Sequence, residues 1–99
     1  MSVVSILRFT VRDGAGDELV RRFAELEIFQ RAHESGGYLG GRLLRRSGDD
    51  SDFLVVADWE TRADYEAWLE NPVRAETGEK LQPLLVDEVV AGEVYEVAG

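Results

Sequence analysis

Cysteine is absent from this sequence of 99 residues, and histidine occurs only once. The missing thiols exclude disulfides, a cysteine nucleophile and thiolate metal ligands, and a single histidine leaves no convincing zinc set. No apolar run approaches the length that spans a membrane. The N-terminal residues, from Met1 to Ser5, lack a basic region followed by an apolar stretch, so we predict no signal peptide and a cytoplasmic location.

Basic side chains are also scarce, because 11 lysines and arginines face 20 acidic residues and the net charge is −9. A phosphate backbone or an anionic membrane surface would be repelled, so we expect neither a nucleic acid nor a membrane as partner. Gly14 and Gly16 lack the lysine of a phosphate-binding loop. No nucleophile-elbow pattern is present. The length fits one domain, spanning residues 1–99.

Four segments are predicted as strands, because they are rich in β-branched and apolar residues and are bounded by turn residues. They are Val3 to Val11, Tyr38 to Arg46, Phe53 to Trp59 and Val89 to Val97. The polar turn from Ser47 to Ser51 joins the second and third strands into a hairpin.

One helix is predicted from Asp17 to Glu34. Asp17 and Glu18 suit the positive end of the helix dipole, and Gly36 with Gly37 ends the helix. Its apolar stripe consists of Leu19, Val20, Phe23 and Leu26.

A second helix is predicted to begin at Thr61, which has capping-box spacing with Asp64. Its inward stripe consists of Tyr65, Trp68 and Leu69. Asn71-Pro72 interrupts this helix, and the segment from Val73 to Leu81 is predicted as a further short helix. The resulting order, β-α-β-β-α-β, predicts an α+β fold of ferredoxin-like topology, with a four-stranded antiparallel sheet and the helices on one face.

The uncovered face of this sheet is expected to be apolar. Alternation places Val4 and Ile6 on one face of the first strand, and Leu54 and Val56 on one face of the third; the opposite faces are apolar as well. Each such side chain left in water would lose about 1.5–3 kcal/mol of the stabilising free energy that burial provides. We therefore predict a homodimer that pairs through this face, with a monomer as the alternative.

The run Phe53-Leu54-Val55-Val56-Ala57-Asp58-Trp59-Glu60-Thr61, followed by Tyr65-Glu66-Ala67-Trp68, resembles the strand-to-helix signature of the antibiotic-biosynthesis-monooxygenase family of dimeric α/β barrels. The segment from Ser35 to Gly40 resembles the family's approach to its second strand, with Gly36 where a proline is usual. The resemblance covers nearly the whole chain and implies the same fold and dimer. This family includes cofactor-independent oxygenases of aromatic polyketides and haem-degrading oxygenases.

Haem-degrading members resemble this chain at Trp68, which in them lines the haem cavity. They place an asparagine in the first strand where this chain has Leu7. Their axial histidine falls where this chain has Thr77 and Gly78. Threonine is a poor ligand for haem iron, and glycine has no side chain to offer. The resemblance therefore disfavours haem as a cofactor, and we expect no cofactor.

Quinone-forming members resemble this chain at Trp59 and Tyr65. They carry an asparagine, thought to bind or activate substrate, where this chain has Val55. Their reaction needs no metal or flavin, because an electron-rich phenolate or enolate passes an electron to O₂ itself.

Three residues are candidates for catalysis: His33, Trp59 and Tyr65. Histidine titrates near neutral pH and would suit a base, although a lone histidine also fits an interfacial role. Trp59 and Tyr65 also fit core packing. Arg74 is interpreted as a solvated charge, with steering of an anionic substrate as the alternative.

The leading hypothesis is a cofactor-independent monooxygenase that uses O₂ on a small aromatic, polyketide-type substrate. The predicted substrate-binding residues, between the sheet and the helices, are Leu7, Phe23, Tyr65 and Trp68. A dimer that binds ligands without catalysis is the alternative, favoured by the apolar Leu7 and Val55. Haem binding is the third hypothesis.

Overall fold

Four antiparallel strands form one sheet, and the helices pack against one of its faces. This arrangement is described by a computed structural model for residues 1–89 and 91–99. The strands are β1 (Val3–Thr10), β2 (Tyr38–Arg45), β3 (Asp52–Trp59) and β4 (Glu93–Glu96). The helices are α1 (Gly16–Glu25), α2 (Ile28–Ser35), α3 (Arg62–Glu70) and α4 (Pro72–Leu81), and a short 3₁₀ helix follows at Gln82–Leu84.

The strand order is β2-β3-β1-β4, with every neighbouring pair antiparallel. The two strands of the hairpin lie together, and β1 separates β3 from the last strand, as two right-handed crossovers require. The predicted ferredoxin-like α+β fold is therefore confirmed.

The helix-facing side of the sheet holds the core. Phe9 pairs with Phe53 across β1 and β3, and Val3 pairs with Trp59; all four are buried. The alternation predicted from the sequence is confirmed, because this face carries the large side chains and the opposite face carries Val4 and Ile6.

The helix predicted from Asp17 to Glu34 is wrong as a single element. It is broken into α1 and α2 at Glu27, whose φ of 53° is left-handed. The break lets the apolar residues on either side, Leu26 and Ile28, pack against the same core cluster. Arg31 bridges it, since its Nε donates to the carbonyl of Leu26 at 3.1 Å. Neither glycine nor proline marks this position, so local sequence signals could not place it.

Glycine at position 27 is expected to stabilise the protein. The left-handed conformation costs an L-residue about 1–2 kcal/mol, and glycine escapes this cost while losing somewhat more backbone entropy on folding. We expect Glu27→Gly to raise the free energy of unfolding by about 0.5 kcal/mol, measured by urea denaturation. The matched control, Glu66→Gly in α3, should lower it by about 1 kcal/mol. Equal losses in both variants would contradict the strain at Glu27.

The start of α3 and the break after it are confirmed. The Thr61 hydroxyl accepts the Asp64 backbone N–H, and the Asp64 carboxylate accepts the Thr61 backbone N–H, which completes the capping box. Asn71 then caps α4 through the N–H of Val73 at 2.9 Å. Pro72 occupies the first turn of α4, where its missing N–H does no harm.

The last strand is shorter than predicted. Residues 93–96 pair with β1, whereas the prediction began at Val89 and included Val90, which lies outside the described residues. The backbone N–H of Gly92, one residue before β4, donates to the Tyr65 hydroxyl at 2.8 Å. Further along β1, the carbonyl of Thr10 already accepts the N–H of Val86. The Thr10 carbonyl, which a strand reaching back to Val89 would need, is therefore taken.

The open face of the sheet carries an apolar centre. Ile6 pairs with Val56, and Leu44 pairs with Leu54. Val4 lies on the same face of β1, two residues before Ile6. Arg8 and Asp58 flank this centre and are exposed. Within the described residues, no helix is long and apolar enough to cross a bilayer.

Candidate functional site

A cavity lies between the helix-facing side of the sheet and the helices. It has two adjoining lobes of about 50 and 70 Å³. The two lobes share Leu7, Ile28, Val55, Trp68 and Arg74. We call these two lobes together the inner cavity.

The upper lobe has aromatic walls. Trp59, at the end of β3, lies 5.6 Å from Tyr65 of α3 and 5.6 Å from Tyr38 of β2, measured between ring centroids. Trp68, one turn after Tyr65, continues the wall into the lower lobe. Flat aromatic surfaces of this kind suit a planar aromatic ligand.

The predicted substrate-binding residues come together in this cavity. Leu7 and Trp68 line both lobes, Tyr65 lines the upper lobe and Phe23 lines the lower lobe. The apolar Leu7 and Val55 lie side by side, because they pair across β1 and β3. The two positions where the family resemblance expected asparagines therefore form one apolar floor.

The indole of Trp59 is held by a buried hydrogen bond. Its Nε1 donates to the hydroxyl of Ser5 at 3.0 Å, and that hydroxyl lies 3.5 Å from the carbonyl oxygen of Ala57. Trp59 is 1% exposed and Ser5 is 5% exposed, so water does not compete. Ser5 thus fixes the ring that forms the back of the upper lobe.

Removing the Ser5 hydroxyl should destabilise the protein. Ser5→Ala leaves the buried indole N–H of Trp59 without an acceptor, which is expected to lower the free energy of unfolding by about 1–3 kcal/mol. Urea denaturation followed by tryptophan fluorescence measures this loss. Ser47→Ala, in the exposed hairpin turn, is the control and should change stability by less than about 0.5 kcal/mol. A similarly small loss for Ser5→Ala would show that the bond contributes little.

The Tyr65 hydroxyl has a defined orientation. It accepts the backbone N–H of Gly92 at 2.8 Å, which uses one of its lone pairs. A tyrosine hydroxyl that accepts still has its own proton to donate. Tyr65 is 5% exposed, and its side chain lines the upper lobe.

Arg74 is the charged residue that sequence reasoning misjudged. It is half-buried and lines both lobes, so the interpretation as a solvated charge is wrong. Burial lowers the pKa of its guanidinium, and Tyr65 acts in the opposite direction. Among the described lining residues of the inner cavity, Arg74 alone is charged.

A signal for Arg74 was present in the sequence. Asn71-Pro72 marks the start of a helix, and Arg74 follows in its first turn, where the helix dipole disfavours a cation. A residue that breaks a local rule in this way often serves the site rather than the fold. Its placement depends on the angle between α3 and α4, which the sequence does not give.

Tyr38 contributes a second hydroxyl to the upper lobe. Burial raises its pKa, and the charge of Asp58 acts in the same direction. The phenol therefore stays protonated at neutral pH. Tyr38 is suited to donate a hydrogen bond and is not suited to act as a base.

His33 lies apart from the inner cavity. It is exposed on α2, and its ring contacts Tyr38 edge-on, with 6.3 Å between the ring centroids. The side chain is absent from the described lining of both lobes. Within one chain, His33 thus reaches the cavity only through Tyr38.

The positions of the family's axial histidine face the lower lobe. Thr77 is 4% exposed, and its hydroxyl donates to the backbone carbonyl of Arg74 at 3.1 Å. Gly78 follows it in the same wall. No cluster of three or more His, Cys, Asp or Glu residues that could hold a metal ion occurs among residues 1–89 and 91–99.

Comparison with known proteins agrees with this architecture. The family model for antibiotic biosynthesis monooxygenases matches residues 2–80. A mycobilin-producing haem oxygenase of Mycobacterium tuberculosis is 38% identical over 88 residues, which cover 85% of this chain and 79% of the relative.

Solved structures show the same fold at lower identity. SnoaB, a cofactor-independent oxygenase from Streptomyces nogalater, superposes with a TM-score of 0.80 at 23% identity, covering 99% of this chain and 94% of the other. Rv0793 from Mycobacterium tuberculosis superposes with a TM-score of 0.77 at 16% identity, covering 100% and 97%. Together with the family match, these comparisons establish that the chain belongs to the antibiotic biosynthesis monooxygenase family.

Proposed function

We propose that this protein is a cofactor-independent monooxygenase that oxidises a small, hydroxylated aromatic substrate with O₂ in the inner cavity. The observation that carries this proposal is the combination of aromatic walls with the half-buried cation of Arg74. A cation in an otherwise apolar cavity favours an anionic ligand, and a deprotonated phenol or enol is the anionic form of such an aromatic.

The proposed reaction balances without an external reductant. A methylene carbon between aromatic rings, as in an anthrone, loses two C–H bonds while O₂ accepts four electrons. One oxygen atom becomes the new quinone carbonyl and the other leaves as water. The substrate first loses one proton to solvent, and the resulting anion passes an electron to O₂. The two radicals combine at that carbon to give a peroxide anion, which takes up a proton to form the hydroperoxide. Loss of the second C–H proton with cleavage of the O–O bond then releases water and leaves the carbonyl.

The residues of the cavity have separate roles in this proposal. The guanidinium of Arg74 stabilises the substrate oxyanion, which lowers the pKa of the bound substrate. The Tyr65 hydroxyl donates its proton in a hydrogen bond to the same or a neighbouring substrate oxygen. Trp68 stacks on the rings and keeps water away from the reactive carbanion and hydroperoxide. His33, outside the cavity, is assigned no role in the chemistry.

The decisive test uses isotopically labelled O₂ and an anthrone-like substrate. We expect aerobic formation of the quinone with one labelled oxygen atom per molecule, unaffected by metal chelators, and no product under anaerobic conditions. An oxygen-dependent rate no higher than that of buffer would overturn the proposal. A ligand that binds and is recovered unchanged would support a non-catalytic binding protein instead.

Haem binding is a second candidate because the relative from Mycobacterium tuberculosis is described as a haem oxygenase. The residues present do not fit an axial ligand, since the described lining holds no histidine, cysteine or methionine. Tyrosine is the remaining ligand type, but Tyr38 retains its proton and Tyr65 accepts the N–H of Gly92. The family resemblance implies an axial histidine where this chain has Thr77 and Gly78.

Haemin titration followed in the Soret region distinguishes the two candidates. We expect no saturable one-to-one shift for the natural sequence, and a gain of such a shift for Thr77→His, which puts an imidazole on the lower-lobe wall. Arg62→His, on the exposed face of α3, is the matched control for non-specific haemin binding. A specific shift in the natural sequence that is abolished by His33→Ala would revive haem binding.

We also propose that the functional unit is a homodimer joined through the open faces of the two sheets. The central residues of that face, Ile6 and Val56 with Leu54, are apolar and lie opposite the helices. A twofold axis covers this patch with an identical patch. A cytoplasmic location remains a prediction from the sequence.

A further inference from the structure

A groove lies outside the junction of α1 and α2 and is larger than either lobe of the inner cavity. Its volume is about 390 Å³. Phe23, Phe29, Leu43 and Phe53 form its apolar floor, and Gln30 with Arg45 forms its polar rim. We call it the outer groove. Its volume falls in the range of small-molecule sites, about 300–1,000 Å³, whereas the inner lobes do not reach it.

Only a thin wall separates the outer groove from the inner cavity. Ile28 and Phe29 line both the groove and the upper lobe. Phe23 and Ile28 line both the groove and the lower lobe. Side chains that face both spaces form this wall, so moving one of them joins the two spaces.

Within this wall, the ring of Phe29 is held by contacts with two neighbouring aromatic rings. Its ring packs edge-on against Phe23 at 5.2 Å and stacks on Tyr38 at 6.0 Å, measured between centroids. It also lies over Gly41, where a Cβ atom would come within 2.6 Å of the ring carbon Cε1. The glycine therefore gives the ring its present place against β2.

The backbone next to Phe29 has the features of a hinge. Glu27, two residues earlier, is the one non-glycine residue with a positive φ in the described part of the chain. The helix that it introduces, α2, has eight residues. A short helix that begins at a strained residue can turn about that residue as a unit.

We propose that the outer groove is a second binding subsite for the aromatic substrate, which passes from it into the inner cavity when Phe29 moves aside. This inference rests on the proposed function and deepens it. The inner lobes are smaller than the cavity of about 150 Å³ that holds a single benzene ring. A fused-ring substrate therefore fits the inner cavity only when the wall opens and part of the outer groove joins the two lobes.

The charges at the rim indicate which form of the substrate the groove takes. The guanidinium of Arg45 lies 5.1 Å from the centre of the Phe53 ring and pairs with Asp17 at 3.1 Å and with Asp50 at 4.0 Å. Two carboxylates compensate its charge. The groove thus suits the neutral, protonated aromatic, and deprotonation follows beside Arg74 in the inner cavity.

The test follows binding and does not need turnover. Trp59 and Trp68 are the two tryptophans of the chain, and both line the inner cavity, so quenching of their fluorescence reports arrival there. Stopped-flow mixing with dihydroxyanthraquinone, a product-like probe that O₂ does not oxidise, gives the association and dissociation rates. Circular dichroism confirms that each variant is folded.

We expect Phe29→Ala to raise both rates by about tenfold or more and to change the dissociation constant by less than about threefold, as a gate requires. Phe29→Trp should slow both rates. Val86→Ala, at an exposed valine that lines neither the groove nor the inner cavity, is the control and should leave the rates of passage nearly unchanged.

Two results would overturn the inference: rates for Phe29→Ala that match those of Val86→Ala, or no quenching of the natural protein by the probe at any soluble concentration. Altered passage without oxygenation of an anthrone would refute the proposed function and leave the subsite. Oxygenation of the anthrone with unaltered passage of the probe would refute the subsite and leave the proposed function.

Discussion

Replacing Arg74 with glutamine is expected to lower kcat/KM for an anthrone-like substrate by about 100-fold or more, because removal of a single oxyanion-stabilising group has effects of this size. The same variant should shift the pH–rate profile to higher pH. Without the cation, the bound phenol or enol has a higher pKa and stays protonated over a wider range. The measurement is oxygen-dependent quinone formation as a function of pH.

Two further variants separate chemistry from folding. Arg74→Lys keeps the charge but not the planar fork, and should restore part of the rate. Arg62→Gln removes a charge from the exposed face of α3, where Arg62 pairs only loosely with Glu66 at 3.6 Å, and should leave the rate unchanged. If Arg74→Gln stays folded and keeps a third of the natural activity, the guanidinium does not stabilise the reacting oxygen.

The substitution Ile6→Glu is expected to dissociate the proposed dimer. Ile6 lies in the centre of the open face, opposite Val56 on β3 and Glu93 on β4. Covering a carboxylate with a second sheet leaves it desolvated beside another acid, which costs several kcal/mol. We expect Ile6→Glu to raise the dimer dissociation constant by about 100-fold or more, measured by sedimentation velocity.

The control introduces the same residue type, glutamate, at another position of the same strand. Thr10→Glu lies on the same face of β1 but at its exposed end, opposite Asp52, and should leave the dimer intact. Circular dichroism shows whether Ile6→Glu keeps its fold as a monomer. If the natural protein sediments as a monomer at micromolar concentration, the dimer prediction is wrong, although the fold of the single chain stands.

The haem-oxygenase relative and this chain belong to one family, since they are 38% identical over 88 residues. Chemistry is set by the groups that point inward. The proposal for this chain rests on its own inward side chains: Thr77 is a poor ligand for iron, and we expect Arg74 to hold an aromatic anion.

Local signals in the sequence predicted most elements correctly. Alternation along Val3–Thr10 and Asp52–Trp59 indicated the strands and their buried faces. The reciprocal pair of Thr61 and Asp64, and the break at Asn71, marked the helix boundaries. These signals are reliable because each depends on residues within a few positions of one another.

The errors share a cause. The break at Glu27 and the late start of β4 both depend on contacts with distant segments: the core cluster that Leu26 and Ile28 join, and the Thr10 carbonyl that takes the N–H of Val86. These contact partners lie far away in the sequence, outside the short segments on which local prediction depends. Tertiary contacts overrode the local preference in each case.

The amino-acid sequence by itself determined the order of the elements, the faces that they bury and the membership of a family. Only the tertiary structure decided that Arg74 lines a cavity, that His33 does not, and that Phe29 stands between two spaces. The physical reason is that hydrophobic periodicity and capping act along the chain, whereas a site is made where segments far apart in sequence meet.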